Sequence, residues 1–489
     1  MNGYRESRDE LRHYEASIQD PDGQGPSGQA SNSQATDGYN LNSYGDGDGD
    51  GSDESGGDAV GLLDRRRFLQ VMVAGGAAAA GAGIIYSGAD RESAADPVIE
   101  QPGTQVGVVN RPNTEPDRVG QLLPSAVDNR VLVLIELAGG NDGPSTVVPY
   151  GNGTYYDLRP NIAIPPEEVL SLDNEVGLNP NLARLHQRGL AVVEGVGPTN
   201  GNLSHFEMVQ RWDAGDMDGT NNLKSGFLAR LADTVNNGSP LVGLSVGGNT
   251  PRFANSAAST LAIDNINAIR YLTQSDDPAL LRYHESLRSF TTDEAVMAGV
   301  VGSSWRQLLE LGVTINAQIE RENDETNPMF TDGGGLGRRL SLAANLISAD
   351  VGVRVVHAAI GGFDTHTNHR NRHNNLMGQL DASIAGFLQQ MEQDGTADRV
   401  LVATTSEFGR RFGENDGGTD HGSGSLMLMA GPVTPGRYGV PSPLNGLDGG
   451  GNLSTEVPFD TYLATLAQGW LGIEATSVLP GEPEILPLF

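Results

Sequence analysis

Short apolar runs recur along the chain after residue 130, each closed by glycine, serine or a polar turn. VLVLIELA (131–138), LAVVEGVG (190–197), LVGLSVG (241–247), VRVVHAAI (353–360), VLVATTS (400–406) and LMLMAG (426–431) are of strand length and rich in β-branched or other apolar residues. Runs that are apolar at nearly every position, rather than at alternate ones, fit strands buried on both faces. Between them, apolar residues take helical spacing at 205–215, 225–235, 278–289, 293–322, 336–349, 376–394 and 459–471. This alternation predicts one α/β domain over 128–489: a doubly wound, mostly parallel sheet with helices on both faces. The largely helical stretch 266–350 reads as an insertion into that domain.

Before residue 128 the pattern is different. Residues 1–63 form an acidic leader, and 20–58 contain almost nothing able to build a core, so disorder is expected there. Within the leader, DGDGDG (46–51) matches the start of a calcium loop, but Gly57 stands where that loop needs glutamate; a solvated tail is the better reading. In 64–89, Arg65 and Arg66 followed by Arg67, Phe68 and Leu69 resemble a twin-arginine export signal. The Ala- and Gly-rich run that follows is of low hydrophobicity, and Ser87-Gly88-Ala89 suits signal cleavage. An uncleaved anchor is the alternative, since about 19 apolar residues can span a bilayer. Residues 90–127 read as a linker. The expected route is export by the twin-arginine translocase to an extracellular or cell-surface location, with membrane contact only if the signal is retained.

Charge and composition narrow the function classes. The formal net charge is −31, and Lys224 is the sole lysine. No basic face is available for nucleic acid. An acidic, lysine-poor chain resembles the proteins of extreme halophiles. Cysteine is absent, which excludes disulfides, iron–sulfur clusters and thiolate zinc sites.

Ligands of open α/β sheets bind beyond the carboxyl ends of the strands. Asp142 (in GGNDG), Asp364 and His366 (in GGFDTH) and Glu407 each follow a strand run. Asp420 and His421 precede LMLMAG, so they reach the same rim only if that strand runs antiparallel; a mixed sheet is therefore part of the expectation. Oxygen and imidazole donors without thiolate suit divalent Zn, Mn, Mg, Ca or Fe. For each residue there is a plainer reading. Asp142 also suits an Asx turn, and His369 and His373 lie in the polar run HTNHRNRHNN, which reads equally as a solvated loop or helix start. Asp420 either ligates or orients His421. Ser204 with Glu207 spells a capping box ahead of a helix. The same serine, at a helix N-terminus and beside a metal, could act as a nucleophile, with Arg410 clamping the anion's oxygens.

The ordered set LAGGNDGPSTVVPY (137–150), YYDLRPNIAI (155–164), LAVVEGVG with SHFEMVQRW (190–212), GGFDTH (361–366) and SEFGRR with GGTDHG (406–422) resembles the domain of unknown function 1501 (DUF1501) family over about 128–485. That resemblance implies a twin-arginine signal and an alkaline phosphatase-like fold with a two-metal site and a nucleophile at a helix N-terminus. By order, Asp142 resembles the first-strand metal aspartate, Ser204 the nucleophile, Asp364 with His366 or His369 a metal-binding pair, and His421 the last metal histidine. The chain departs from the pattern at Glu407-Phe408, where the superfamily usually has Asp-His. Lack of cysteine excludes a formylglycine nucleophile. The implied function is an exported metal-dependent hydrolase of phosphate or related esters. The alternative is a non-catalytic envelope protein that keeps the fold and binds an anionic polymer.

Overall fold

The structure is a computed structural model that describes residues 129–221, 223–247, 251–263, 278–289, 309, 312–313 and 326–489. The expected leader, signal, linker and most of the 266–350 insertion lie outside those residues. Among the described residues no helix is long and apolar enough to cross a membrane.

Nine strands form one sheet. They are β1 (Val131–Leu137), β2 (Ala191–Gly197), β3 (Gly243–Val246), β4 (Thr260–Ile263), β5 (Val355–Ile360), β6 (Val400–Thr405), β7 (Ser425–Ala430), β8 (Gly436–Gly439) and β9 (Val457–Pro458). Their order is β8-β2-β7-β6-β1-β5-β3-β4, with β9 also paired to β2. β1 is central and parallel to both neighbours, with Leu137 opposite Ile360 of β5 and Glu136 opposite Thr405 of β6. β7 is antiparallel to both β2 and β6. The sheet is thus mixed, as the position of Asp420-His421 required.

Alternate residues of each strand feed two cores. Val131, Val133, Ile135 and Leu137 face α3 (Gly334–Ser348) and α4 (His369–Gln393) through Leu340, Leu346, Leu380 and Phe387. Leu132 and Leu134 belong to the other core, with α1 (His205–Ala214), α2 (Phe227–Thr234) and α5 (Phe459–Ala464). Burial on both faces explains why β1 is apolar at almost every position. The edge strands β8 and β9 escaped the sequence reading because GRYG and VP carry no apolar pattern.

Two departures matter for the site. α4 begins at His369, ahead of the expected start at 376, so the polar run HRNRHNN is helix. Its histidines turn inward, at a spacing of four residues that puts both on one helical face; His369 and His373 are each 1% exposed. After α5 the chain continues as a π-helical turn, Thr465–Trp470, within the region expected to be helical.

Candidate metal centre

Parallel β1, β5 and β6 deliver their exit loops to one rim, and antiparallel β7 brings the segment before it to the same place. β2 ends there too, and its loop leads into α1. The loops cross closely. A Cβ at Gly139 would lie 2.3 Å from the backbone nitrogen of Asp364, and Gly139 has φ +116°. Only glycine suits both the space and the conformation. The two-residue ladder of Gly409–Arg410 with His421–Gly422 then fixes the loop that carries His421.

Three side chains converge at this crossing: His205, Asp364 and His421, whose ligand atoms lie within 4.8 Å of one another. His205 Nε2 is 3.0 Å from His421 Nε2 and 3.7 Å from Asp364 Oδ2. His421 Nε2 is 3.2 Å from Asp364 Oδ1. On the more exposed side, His366 Nε2 stands 3.1 Å from His421 Nε2 and 3.0 Å from Asp364 Oδ1. Ligands at ~2.0–2.1 Å around a tetrahedral ion are spaced about 3.3 Å apart, which the separations within the trio bracket.

Partners at the far side of each ring settle which nitrogen carries the proton. His421 Nδ1 donates to the Leu203 carbonyl at 2.9 Å. A carbonyl can only accept, so neutral His421 has a lone pair at Nε2. His205 Nδ1 faces Glu407 Oε1 at 2.9 Å, which leaves its Nε2 a lone pair as well. Asp420 Oδ1 lies 3.4 Å from His366 Nδ1. Three imidazole acceptors and a carboxylate therefore point at one another. Such a cluster is satisfied by a proton or by a cation. Without a cation the proton stays: burial pulls His205 down, but its hydrogen bonds to Asp364 and Glu407 outweigh it and lift its pKa to about 9. Burial pushes Asp364 up, and the bonds from His205, His421 and Arg410 hold it well below the usual carboxylate range. The donor set fits a divalent ion with oxygen and imidazole preference.

Other expected site residues fall elsewhere. Asp142 is fully buried and accepts from Arg159 Nη1 at 2.9 Å and Nη2 at 3.1 Å, and from the backbone of Ser145 at 2.8 Å. It is the N-cap of the turn Gly143–Thr146, not a member of the trio. His369 bonds Ser145 and Thr365 and is likewise outside it. Glu407 lies outside the trio: Oε1 accepts from Gly139 N at 2.8 Å as well as from His205, and its buried Oε2 has no protein partner. Asp420 faces His366, not His421. Arg410 is 0% exposed, and the carbonyls of Gly139, Gly140, Phe363 and Thr419, together with Asp364, take its N–H groups. It ties three loops and holds Asp364; an incoming anion finds no access to it.

Ser204 precedes α1 with φ −92° and ψ 121°, but its hydroxyl makes no capping bond. The capping box is not formed, because Glu207 pairs with Arg211 and Asn202 instead. The half-buried serine stands between Leu203, whose carbonyl holds His421, and His205. Leu203 takes φ +58°, a conformation rare for leucine. His205 is the functional residue that sequence reasoning missed. Its signal was present: a histidine at the first helical position after a strand that ends on the rim.

The family described as protein of unknown function (DUF1501) matches residues 187–440, just over half of the 489-residue chain, and the chain belongs to it. Among curated proteins none matches. The chain is similar to the soluble domain of lipooligosaccharide phosphoethanolamine transferase A from Neisseria meningitidis, at 10% identity over 76% of this chain and 96% of that one, TM-score 0.33. It is also similar to a TAB5 alkaline phosphatase variant with magnesium bound, at 14% identity over 63% and 91% of the two chains, TM-score 0.28. For a phosphonate monoester hydrolase from Silicibacter pomeroyi the identity is 8% over 71% and 74%, TM-score 0.34. None of these likenesses bears on activity, which rests on the chain's own residues.

Proposed function

We propose that this DUF1501 protein is a metal-dependent hydrolase of phosphate or related esters, with its centre at His205, Asp364 and His421. The observation that supports the reading is the convergence of the His205, Asp364 and His421 ligand atoms at the rim, each ring oriented from behind by Glu407 or the Leu203 carbonyl. A divalent ion held there would polarise an ester oxygen and lower the pKa of a bound water. Arg410 holds Asp364 in place, and Glu407 keeps the His205 Nδ1 proton away from the rim. Ser204, free of capping duty at the start of a ten-residue helix, offers a hydroxyl where the helix end favours an anion. Export through the twin-arginine translocase belongs to the same proposal and is supported by Arg65-Arg66 and the apolar run that follows.

The alternative, a non-catalytic envelope-associated protein that binds an anionic polymer, is favoured by one feature: the arginine expected to clamp an anion is consumed inside the loops. The two readings separate in one assay. The purified chain, with zinc or manganese, is offered aryl phosphate, phosphonate and sulfate esters beside its His421→Ala variant. The hydrolase reading expects metal-dependent turnover that falls at least a hundredfold in the variant. Tight metal binding with no turnover of any ester would leave the binder.

A further inference from the structure

We infer that this centre takes a single divalent ion, and that the Arg159 guanidinium occupies, as a permanent internal cation, the place a second ion would need. The inference rests on the metal-centre reading above. The expected metal ligands that lie behind the rim and not in the trio are Asp142 and His369, with His373 packed beside them. All three are at most 1% exposed. Both oxygens of Asp142 are bound by Arg159, which is anchored in turn on the carbonyls of Phe412 at 2.5 Å and Arg411 at 3.1 Å.

Proton directions close the lone pairs of His369. Arg159 Nη1 donates to Ser145 Oγ at 3.0 Å, so the serine's own proton goes to His369 Nε2 at 2.9 Å. The other ring nitrogen donates to Thr365 Oγ1 at 2.6 Å, and that hydroxyl passes its proton to the Phe363 carbonyl at 3.3 Å. His369 has no lone pair left for a metal. His373 Nε2 faces Asn141 Oδ1 at 3.2 Å, while Asn141 Nδ2 and His373 Nδ1 are the buried atoms without partners. An amide N–H group repels a cation, so the leftover pair suits a water molecule, not an ion. A divalent ion beside Asp142 would also face the full charge of Arg159 in a dry interior.

Metal stoichiometry tests this directly. The full, tag-free chain is stripped with chelator, given excess zinc chloride, dialysed, and its zinc measured by mass spectrometry. One equivalent per chain is expected; two retained equivalents would overturn the inference while leaving the metal centre standing. No retained zinc would remove the metal centre itself, and this inference with it. In Asp142→Asn the single equivalent should persist, with zinc affinity within about twofold; a tenfold loss would make Asp142 a ligand and end the proposal. Should that variant not fold, His369→Gln carries the same comparison. His421→Ala should retain no zinc, which places the one ion at the rim.

Discussion

Two clusters of aspartate and histidine lie next to each other at the carboxyl ends of the parallel strands, and they behave as opposites. At the rim, His205, Asp364 and His421 are partly exposed, and their ligand atoms face each other with one proton, held on His205, where a cation would otherwise sit. Behind it, Asp142, Arg159, His369 and His373 form a buried network with its own cation. The same residue types thus make a candidate metal centre in one place and a structural strut in the other. What separates them is the supply of donors. A guanidinium and two hydroxyls engage Asp142 and His369 of the inner set, whereas at the rim Glu407, Asp420 and the Leu203 carbonyl lie at the outward nitrogens and turn the inward ones toward Asp364 and one another.

The largest expected effect breaks the inner cluster. Arg159→Met leaves the Asp142 carboxylate buried and unpaired, and removing one partner of a buried pair costs about 3–5 kcal/mol. The double variant Arg159→Met with Asp142→Asn should recover a large part of that loss, since no charge is then stranded. Urea unfolding of the three proteins measures it. At the rim, His366→Ala should change stability by less than about 0.5 kcal/mol, because its side chain is 43% exposed. Equal losses in the single and double variants would mean that the inner set is not a closed electrostatic unit.

Acid distinguishes the clusters next. Burial, then the charge of neighbouring His369, holds His373 down at about 3, and burial holds His369 at about 4. Their folded pKa values lie below the unfolded value of about 6.5. The unfolded chain therefore binds these protons first, and stability present above pH 6.5 is lost as pH falls, by about 1.4 kcal/mol per pH unit for each group. Asp213, which burial lifts to about 6, acts in the opposite sense over the same window. A comparison cancels it: between pH 6 and 4.5, stability should fall less steeply in His373→Gln than in the parent, by about 1.4 kcal/mol per pH unit. Rim residue His205, with its folded value raised, contributes fully below pH 6.5 and loses that contribution only as pH rises through about 9. Identical slopes in parent and variant would show that His373 is not held neutral.

How much of this was legible from the sequence follows from what each inference needs. Central strands such as VLVLIEL announce themselves because burial on both faces forces continuous apolar residues. The rule that strand ends form the site put Asp364, His366 and His421 at one rim and demanded the antiparallel β7 that the sheet contains. The same rule did not foresee the partners of Asp142. It places a backbone at the rim but says nothing of the guanidinium from Arg159 that closes on the side chain. The surroundings of Arg410 and Glu407 were hidden for a related reason: charged residues in a glycine-rich loop look available, yet tight loop crossing buries them against carbonyls and ring nitrogens. The start of α4 was hidden because HRNRHNN is polar, and only tertiary donors make two inward histidines tolerable. His205 was passed over because the adjacent Ser204 offered a simpler story as a cap.

Ser204 carries the smallest expected stability effect and the sharpest functional one. A serine that caps a helix through its hydroxyl loses about 0.5–2 kcal/mol on replacement by alanine. Here the hydroxyl makes no such bond, and Asn202 satisfies the backbone nitrogen of Ser204 from outside at 3.0 Å. Ser204→Ala should therefore unfold within about 0.5 kcal/mol of the parent. Metal content should not change, because the three ligand groups and the partners that orient them are untouched. If the serine is the group that attacks the ester, turnover in the variant should nevertheless fall to background. Ser204→Asp adds the control: aspartate caps as well as serine does, so the helix loses nothing. A carboxylate between Leu203 and His205 would, however, occupy the place of an anionic substrate and also stop turnover. Retained hydrolysis in Ser204→Ala, with metal bound, would assign the attack to water and leave the serine a bystander at the rim.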